Sequence, residues 1–210
     1  MPLVFYKKID VHTSFGVWEI TESESWFSDR LLLVQEEKDA LQKIKSPAKR
    51  TEWLAARWLL HYLSASEKRE PCLKDAFGKP YLLNSTTEIS ISHSGGRAAV
   101  LRSKEAGGID IQKRVEKIRR IEKKFVSQIE KKWIRPQHYD SDLHLIWGAK
   151  EALYKTYSKK KVDFCQELEI RPPDFNQKKA KGIIYKDKEK IYDIHFQWLG
   201  EYLLVYSQPE

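Results

Sequence analysis

Three residues at helical spacing past the middle of the chain have the chemistry to act on a phosphate group. Trp147, Glu151 and Lys155 recur at every fourth position, so a helix would place them on one stripe, with an acid and a base projecting the same way. Asp110 ends a short apolar run upstream and could face them. Mg²⁺ is typically held by one or two carboxylates and by substrate phosphate oxygens, while lysines neutralise the remaining charge. The pattern therefore suits a magnesium ion and a phosphate chain.

Each of these residues also has a purely structural interpretation. Glu151 and Lys155 would make an ordinary surface pair one helical turn apart, worth roughly 0.2–0.5 kcal/mol. An unpaired buried carboxylate is costly, so Asp110 requires a cation, a lysine or a capping role. Local sequence alone leaves these alternatives open.

Ser92 and His93 do not form a catalytic pair of nucleophile and base. They are adjacent in a predicted strand and point to opposite faces, so a serine hydrolase is not indicated. His93 is followed by Gly95 and Gly96, which let a backbone approach closely and suit a phosphate contact. A structural histidine fits the same pattern.

Composition predicts a globular protein that meets anionic partners. The 210 residues are 41% hydrophobic and 12% aromatic, enough for one large core or two small ones. The 38 Lys and Arg exceed the 30 Asp and Glu, giving a net charge of +8, which favours phosphorylated cofactors, acidic proteins or nucleic acid. Cys72 and Cys165 are predicted to be buried thiols, with neither a disulfide framework nor a structural zinc site indicated. Without a signal peptide or a transmembrane run, a cytoplasmic location is expected.

The hydrophobic pattern predicts helices alternating with antiparallel sheet in both halves of the chain. One or two strands interrupted near Gly16 come first, and a capping box at Thr21 and Glu24 then predicts a helix. Ser46 and Pro47 predict the start of a longer helix, and Ser127 with Glu130 forms a second capping box. Further strands are predicted at 81–83, 89–94, 97–102, 109–112, 168–170, 182–186, 191–198 and 202–206. A further helix is predicted at 143–157, followed by a lysine run at 159–161. These elements predict an α+β protein of two subdomains that meet near residues 104–108.

Four motifs in a fixed order are far more specific than any one of them. They are Gly78-Lys79-Pro80, the segment from Ile91 to Gly95, Gly108-Ile109-Asp110-Ile111, and Trp147 with Lys150-Glu151-Ala152 and Lys155. In this order the chain resembles the 4′-phosphopantetheinyl transferases of the surfactin-synthetase and enterobactin type, over about residues 46–155.

The resemblance implies a fold and a reaction. It implies two similar α+β subdomains, a pseudo-dimer with antiparallel sheets and a cofactor cleft between them, here divided as 1–106 and 107–210. The enzyme would transfer the 4′-phosphopantetheine arm of coenzyme A to a serine of an apo acyl or peptidyl carrier protein, with Mg²⁺, and release 3′,5′-ADP. The carrier would be an acidic helical bundle, while nucleic acid and membrane are not expected partners. Two joined subdomains predict a monomer.

The resemblance also implies roles for particular residues. Asp110 and Glu151 match the acids that bind Mg²⁺, and Glu151 matches the position proposed to take the proton from the serine. Lys155 matches the lysine beside the pyrophosphate, which would favour departure of 3′,5′-ADP. The remaining cofactor contacts implied are Arg50, Arg57, Lys79, Ser92, His93 and Lys150, with Lys49 as an alternative to Arg50. Gln112 replaces the usual third acid and is expected to hold the metal through its carbonyl oxygen or through a water.

Two other functions remain as alternatives. A Mg²⁺-dependent phosphohydrolase acting on a coenzyme A-like diphosphate could use the acids at 110 and 151 with water as the nucleophile. A basic nucleic-acid-binding module would fit the positive charge and interleaved aromatic residues, although the lysines are scattered and no recognised motif of that kind is present.

Overall fold

The computed structural model describes residues 2–158 and 161–210, so Lys159 and Lys160 of the predicted lysine run lie outside the described residues. Contacts divide the chain into two compact units, unit 1 at Met1–Glu105 and unit 2 at Ala106–Glu210. Each contains helices and a sheet, and every strand pairing in the described ranges is antiparallel. The mixed α+β fold class is therefore confirmed. Among the described helices, none has the length and apolar character needed to cross a bilayer.

Unit 1 is built on a four-stranded sheet. Its elements are β1 (Leu3–Lys8), β2 (Ser14–Glu19), α1 (Glu24–Leu31), α2 (Gln35–Gln42), α3 (Pro47–Ser64), β3 (Cys72–Lys74), β4 (Pro80–Leu82), β5 (Glu88–Ser94) and β6 (Arg97–Ser103). The strand order is β1-β2-β6-β5, and β3 pairs with β4 separately. β5 and β6 are joined through Gly95 and Gly96, both at positive φ, which confirms the predicted two-residue hairpin.

The long helix α3 covers this sheet. Ser46 caps its first turn by accepting a hydrogen bond from Lys49 N, and Pro47 occupies the first helical position, so the predicted start is confirmed. Leu54 and Leu59 are fully buried in the core of unit 1, which also contains Val100 of β6. The apolar residues that recur at helical spacing in α3 thus form the face that packs against the sheet.

Two predictions near the N-terminus are wrong. Gly16 lies inside β2 rather than at a break, and a Cβ at this position would come within 3.3 Å of Phe5 O. Helix α1 is capped by Ser23, whose hydroxyl accepts from Trp26 N at 3.1 Å, and not by Thr21. Helix α2 and strand β3 were not predicted.

The two cysteines are free thiols in different surroundings. Cys72 begins β3 and is buried, as predicted, and burial raises the pKa of its thiol. Cys165 is only partly buried, with Sγ 3.5 Å from Lys123 O. The expectation of two buried thiols is therefore confirmed for Cys72 and wrong for Cys165.

Unit 2 is built on a five-stranded sheet. Its elements are β7 (Gly108–Lys113), a 3-10 helix (Glu116–Lys124), α4 (Gln128–Lys131), a short 3-10 turn (Pro136–His138), α5 (Tyr139–Tyr157), β8 (Leu168–Ile170), β9 (Lys179–Ile184), β10 (Lys190–Leu199) and β11 (Tyr202–Pro209). The strand order is β7-β11-β10-β9-β8. Ala149 and Leu153 of α5 pack in one core with Ile194 and Val205 of the sheet. The capping box at Ser127 and Glu130 is confirmed, since each side chain accepts the other residue's backbone N–H.

Candidate functional site

Two glycines let strand β7 and helix α5 lie so close that their polar residues meet. A Cβ on Gly108 would lie 1.9 Å from Ala152 O, and a Cβ on Gly148 would lie 2.7 Å from Gln112 Nε2. Neither position has room for a side chain without movement of its neighbours. Asp110 Oδ2 lies 3.6 Å from the Cβ position of Gly148, so the strand directs this carboxylate at the helix.

Asp110 is buried and paired with a lysine. It is 6% exposed, and Lys155 Nζ donates to its Oδ1 at 2.8 Å and to Ile109 O at 2.9 Å. Lys155 therefore bonds to the strand rather than forming the surface pair with Glu151. Because a buried carboxylate needs a compensating charge, Lys155 supplies the partner that the sequence required for Asp110.

Glu151 lies close enough to Asp110 and Lys155 for the charges of both residues to shift its pKa. Burial and repulsion from Asp110 raise the pKa of Glu151 to about 6, while Lys155 acts in the opposite direction. A carboxyl with a pKa near the working pH is suited to accept a proton during a reaction. Two neighbouring carboxylates that share one ammonium repel each other, and a divalent cation bound between them would reduce this repulsion.

The donor set of this site fits Mg²⁺. The described residues contain no group of three or more His, Cys, Asp and Glu able to hold a metal, and the two neighbouring carboxyls of this site are those of Asp110 and Glu151. Mg²⁺ commonly takes one or two carboxylates and completes its shell with waters and phosphate oxygens. Gln112 Nε2 donates a hydrogen bond to His144 O at 2.8 Å, which fixes the amide against α5. Its Oε1 is then the atom that could bind the metal or a metal-bound water.

A pocket of about 620 Å³ opens beside Glu151. Its walls are formed by Trp147 and Tyr154 of α5, by the 3-10 helix of unit 2 and by the segment 161–164. The Trp147 ring lies 5.6 Å from the ring of Phe164, which makes one wall largely aromatic. Its volume lies within the range of small-molecule sites, so Glu151 lines a cavity large enough for a small molecule.

Lys150 has a structural role instead of the expected contact with the cofactor. The side chain is fully buried, and Nζ donates to Glu130 Oε2 at 2.7 Å, Phe125 O at 2.8 Å and Phe164 O at 2.6 Å. Burial lowers the pKa of the ammonium, while the charge of Glu130 opposes that shift. All three N–H bonds are used inside unit 2, so none remains for a phosphate.

Arg57 in unit 1 is likewise directed inward, against expectation. Its guanidinium donates to Trp53 O and Cys72 O, lies 3.5 Å from Glu37 Oε1 and stacks over the Trp53 ring. Burial lowers its pKa to about 10. The side chain is 5% exposed, so Arg57 stabilises the fold rather than presenting a cation to a ligand.

His93 meets two residues of α3 around one carboxylate. His93 Nδ1 lies 2.9 Å from Glu52 Oε2, and Lys49 Nζ lies 2.6 Å from the same oxygen. Gly96 N donates to Glu52 Oε1 at 3.5 Å. Ser92 is buried on the neighbouring position of β5, on the opposite face by strand alternation. Glu52 thus holds one cation, Lys49, and one imidazole, His93, at the hairpin.

The other expected phosphate contacts of unit 1 are partly exposed and paired with acids. Arg50 Nε donates to both oxygens of Glu24, at 2.9 and 3.0 Å. Lys79 Nζ bonds to Glu88 Oε2 at 2.6 Å. The structure therefore brings Asp110, Glu151, Lys155 and Gln112 together in unit 2, and places Arg50, Lys79, Ser92 and His93 in unit 1.

The sequence interpretation missed Glu52. This residue is buried in α3 directly before Trp53 and Leu54 of the core. An acid on the apolar face of a predicted helix was the available signal, since such a position requires partners. What could not be read from the sequence was which basic residues would supply them.

Residues 106–207, nearly the whole of unit 2, match the family model of the 4′-phosphopantetheinyl transferase superfamily. The matched stretch contains Asp110, Gln112, Glu151 and Lys155. No individual curated protein matches the chain. The family match supports a transferase of the 4′-phosphopantetheinyl kind and the transfer of phosphopantetheine groups in general.

Proposed function

We propose that this protein is a 4′-phosphopantetheinyl transferase of the surfactin-synthetase and enterobactin type. It transfers the 4′-phosphopantetheine arm of coenzyme A to a serine hydroxyl of an apo acyl or peptidyl carrier protein and releases 3′,5′-ADP. The observation that supports this most directly is the cluster of Asp110, Glu151 and Lys155, which lies within the stretch that matches the family.

The serine must lose its proton as it attacks phosphorus, and Glu151 is the residue proposed to accept it. Glu151 lines the pocket, and its pKa of about 6 leaves it mostly ionised at neutral pH. The new bond joins the serine oxygen to the β-phosphorus of coenzyme A. The bond that breaks joins this phosphorus to the bridging oxygen, which departs with 3′,5′-ADP.

Asp110 and Glu151 would hold Mg²⁺, with Gln112 as a further ligand or a holder of its water, and the bound ion supplies positive charge to the diphosphate. Lys155 adds a second positive charge beside Asp110. An ammonium fixed by two hydrogen bonds is already positioned to stabilise charge on the departing phosphate, so little reorganisation is needed.

Nucleotide phosphates are proposed to bind residues of unit 1. Arg50, Lys79 and His93 each already face a carboxylate, so the phosphates would compete with those acids for the same side chains. Ser92 is a hydroxyl donor on β5. The similarity of the two units and their shared cofactor remain predictions from the sequence.

The decisive experiment incubates the protein with coenzyme A, Mg²⁺ and several apo carrier proteins, and follows carrier mass. The expected result is a gain of one phosphopantetheine group per carrier, abolished by a chelator or by replacing the target serine with alanine. No gain with any carrier would contradict the proposal. Release of free phosphopantetheine without a carrier would instead indicate the hydrolase.

A further inference from the structure

A second pocket in unit 2, of about 350 Å³, shares no lining residue with the pocket beside Glu151. It is lined by the first turns of α5, the residue after β7, the end of β10 and the segment that enters β9. Its volume is at the lower end of the range for small-molecule sites, which suits a ligand of modest size.

The charges of this pocket do not balance. Arg114, Arg135 and Lys178 contribute three cations, and Asp142 contributes one acid. Both oxygens of Asp142 are occupied by Arg135, with Nη2 at 2.7 Å, Nε at 3.1 Å and the backbone N at 2.9 Å. Among the described residues, no carboxylate lies within ion-pair distance of Arg114 or Lys178. The pKa of the Asp140 carboxyl is lowered mainly by its bond to Arg119 and also by the charge of Arg114, so Arg114 is partly balanced, while Lys178 keeps a full positive charge for a ligand.

The guanidinium groups are held in place before any ligand arrives. Arg114 lies 4.3 Å from the ring centre of Trp198, and its Nη2 donates to Ser141 Oγ at 3.1 Å. Arg135 lies 3.4 Å from the ring centre of Phe175 in addition to its pair with Asp142. Fixed donors lose less conformational entropy on binding, and guanidinium groups match the geometry of a carboxylate.

We propose that this pocket binds a small organic carboxylate with a flat apolar body. The carboxylate would meet Arg114 and Lys178, and the apolar body would contact the apolar lining that includes Leu145 and Phe196, because the guanidinium groups of Arg114 and Arg135 already lie over the rings of Trp198 and Phe175. This site is separate from the site of phosphopantetheine transfer, and the inference does not depend on that proposed function.

The test uses 2-naphthoate as the probe and 2-naphthamide, its uncharged analogue, as the comparison in isothermal titration calorimetry. Naphthoate is expected to bind at one site per chain, with the amide at least about tenfold weaker, because the charged hydrogen bonds are lost. The variants Arg114→Gln and Lys178→Gln should each weaken naphthoate binding about tenfold. Both side chains are exposed, so these variants are expected to fold, which circular dichroism checks.

Two matched variants make the result specific. Lys190→Gln removes an exposed charge of β10 that does not line the pocket, and Glu151→Gln alters the other pocket. Both should leave naphthoate affinity unchanged. The proposal is overturned if naphthoate gives no saturable binding, if the amide binds equally well, if Arg114→Gln and Lys178→Gln bind like the parent protein, or if Glu151→Gln abolishes binding.

Discussion

Neighbouring side chains of α5 serve two different purposes. Successive helical residues point about 100° apart, so Lys150 enters the core of unit 2 while Glu151 lines the pocket. Lys150 also bonds to Phe164 O, and Phe164 forms part of the pocket wall. A buried lysine thereby fixes one wall of the space in which its neighbour would act.

The proposed proton acceptor gives the first prediction. Glu151→Gln keeps the size of the side chain and removes its basicity, so turnover on a carrier should fall by roughly 10² to 10⁴. Steady-state assays at saturating coenzyme A and Mg²⁺ measure this change. Glu189→Gln, at an exposed glutamate, should retain normal turnover. Near-normal turnover of the Glu151 variant would remove this residue from the proposed role.

Lys150 should matter for stability more than for cofactor affinity. Lys150→Met leaves Glu130 as an uncompensated buried acid, which should lower the free energy of unfolding by about 3–5 kcal/mol. Urea denaturation measures the loss, and Lys131→Met at an exposed lysine of α4 should change it by less than about 0.5 kcal/mol. A stable variant with weakened coenzyme A binding would restore the role that the sequence first indicated.

At the scale of elements, the site depends on how closely β7 approaches α5. Gly108→Ala would place a Cβ 1.9 Å from the backbone oxygen of Ala152, so the strand or the helix must move. We expect a loss of about 3 kcal/mol or more in unfolding free energy. Gly148→Ala meets two side-chain atoms, Gln112 Nε2 at 2.7 Å and Val205 Cγ2 at 3.0 Å, instead of backbone, and gains about 1 kcal/mol of helix propensity, so it should cost less.

Thermal denaturation of both glycine variants tests this order. A separate assay should measure the coenzyme A-dependent turnover of both variants. Turnover should fall where β7 is displaced, because the displacement moves Asp110 away from its partners on α5. Equal stability of the two variants, or a greater loss for Gly148→Ala, would show that the close approach of β7 to α5 is not the reason for glycine at position 108.

Elements with strong local signals could be predicted from the sequence. Ser46 with Pro47, and Ser127 with Glu130, satisfy helix N-termini through nearby groups, so their signatures need no distant partner. Helix α2 lacks such a signal, since it begins after Val34, which has no capping side chain. Its Glu37 accepts a local hydrogen bond from Val34 N at 3.3 Å, but its bonds to Arg69 and to Cys72 N come from distant residues that no local pattern indicates.

The residues of the candidate site likewise fall into those that local sequence patterns predict and those whose contacts come from distant residues. Asp110 was predicted from its place in an apolar strand, and Glu151 from its helical spacing with Trp147 and Lys155. The directions of Lys150 and Arg57 were not predictable, since a basic residue on a helix has the same sequence signature whether it faces a ligand or a buried acid. Their partners, Glu130 and Glu37, become neighbours only through tertiary packing.

At the scale of the whole molecule, the buried Glu37 links the acid stability of the protein to contacts between distant segments. It bonds to Arg69 and accepts from Cys72 N at 3.0 Å. Burial alone would raise the pKa of the Glu37 carboxyl, but those hydrogen bonds and the charges of Arg69 and Arg57 outweigh burial and hold it below 4.5. The folded protein therefore binds fewer protons here than the unfolded chain.

Glu37→Gln should lower the unfolding free energy by about 3–5 kcal/mol at pH 7. The contribution of Glu37 is fully present above the unfolded pKa near 4.5 and is lost as pH falls through the lower folded value. The gap between parent and variant should thus narrow below about pH 4.5, as measured by urea denaturation at several pH values. Glu36→Gln, the exposed neighbour, should show little gap at any pH, and a Glu37 gap unchanged in acid would contradict the assignment.

The excess of basic residues should govern how fast the protein meets its carrier. A net charge of +8 would attract the acidic helical bundle proposed as the carrier, and salt screens that attraction over about 10 Å at 0.1 M ionic strength. Raising NaCl from about 50 to about 300 mM should therefore raise the KM for the carrier up to about tenfold, with kcat little changed at saturating coenzyme A and Mg²⁺. A neutral solute at equal osmolality should leave the KM unchanged. If salt leaves KM constant but lowers kcat, then the positive charge acts on the reacting phosphates and not on the encounter, because steering changes association and screening at the site changes turnover.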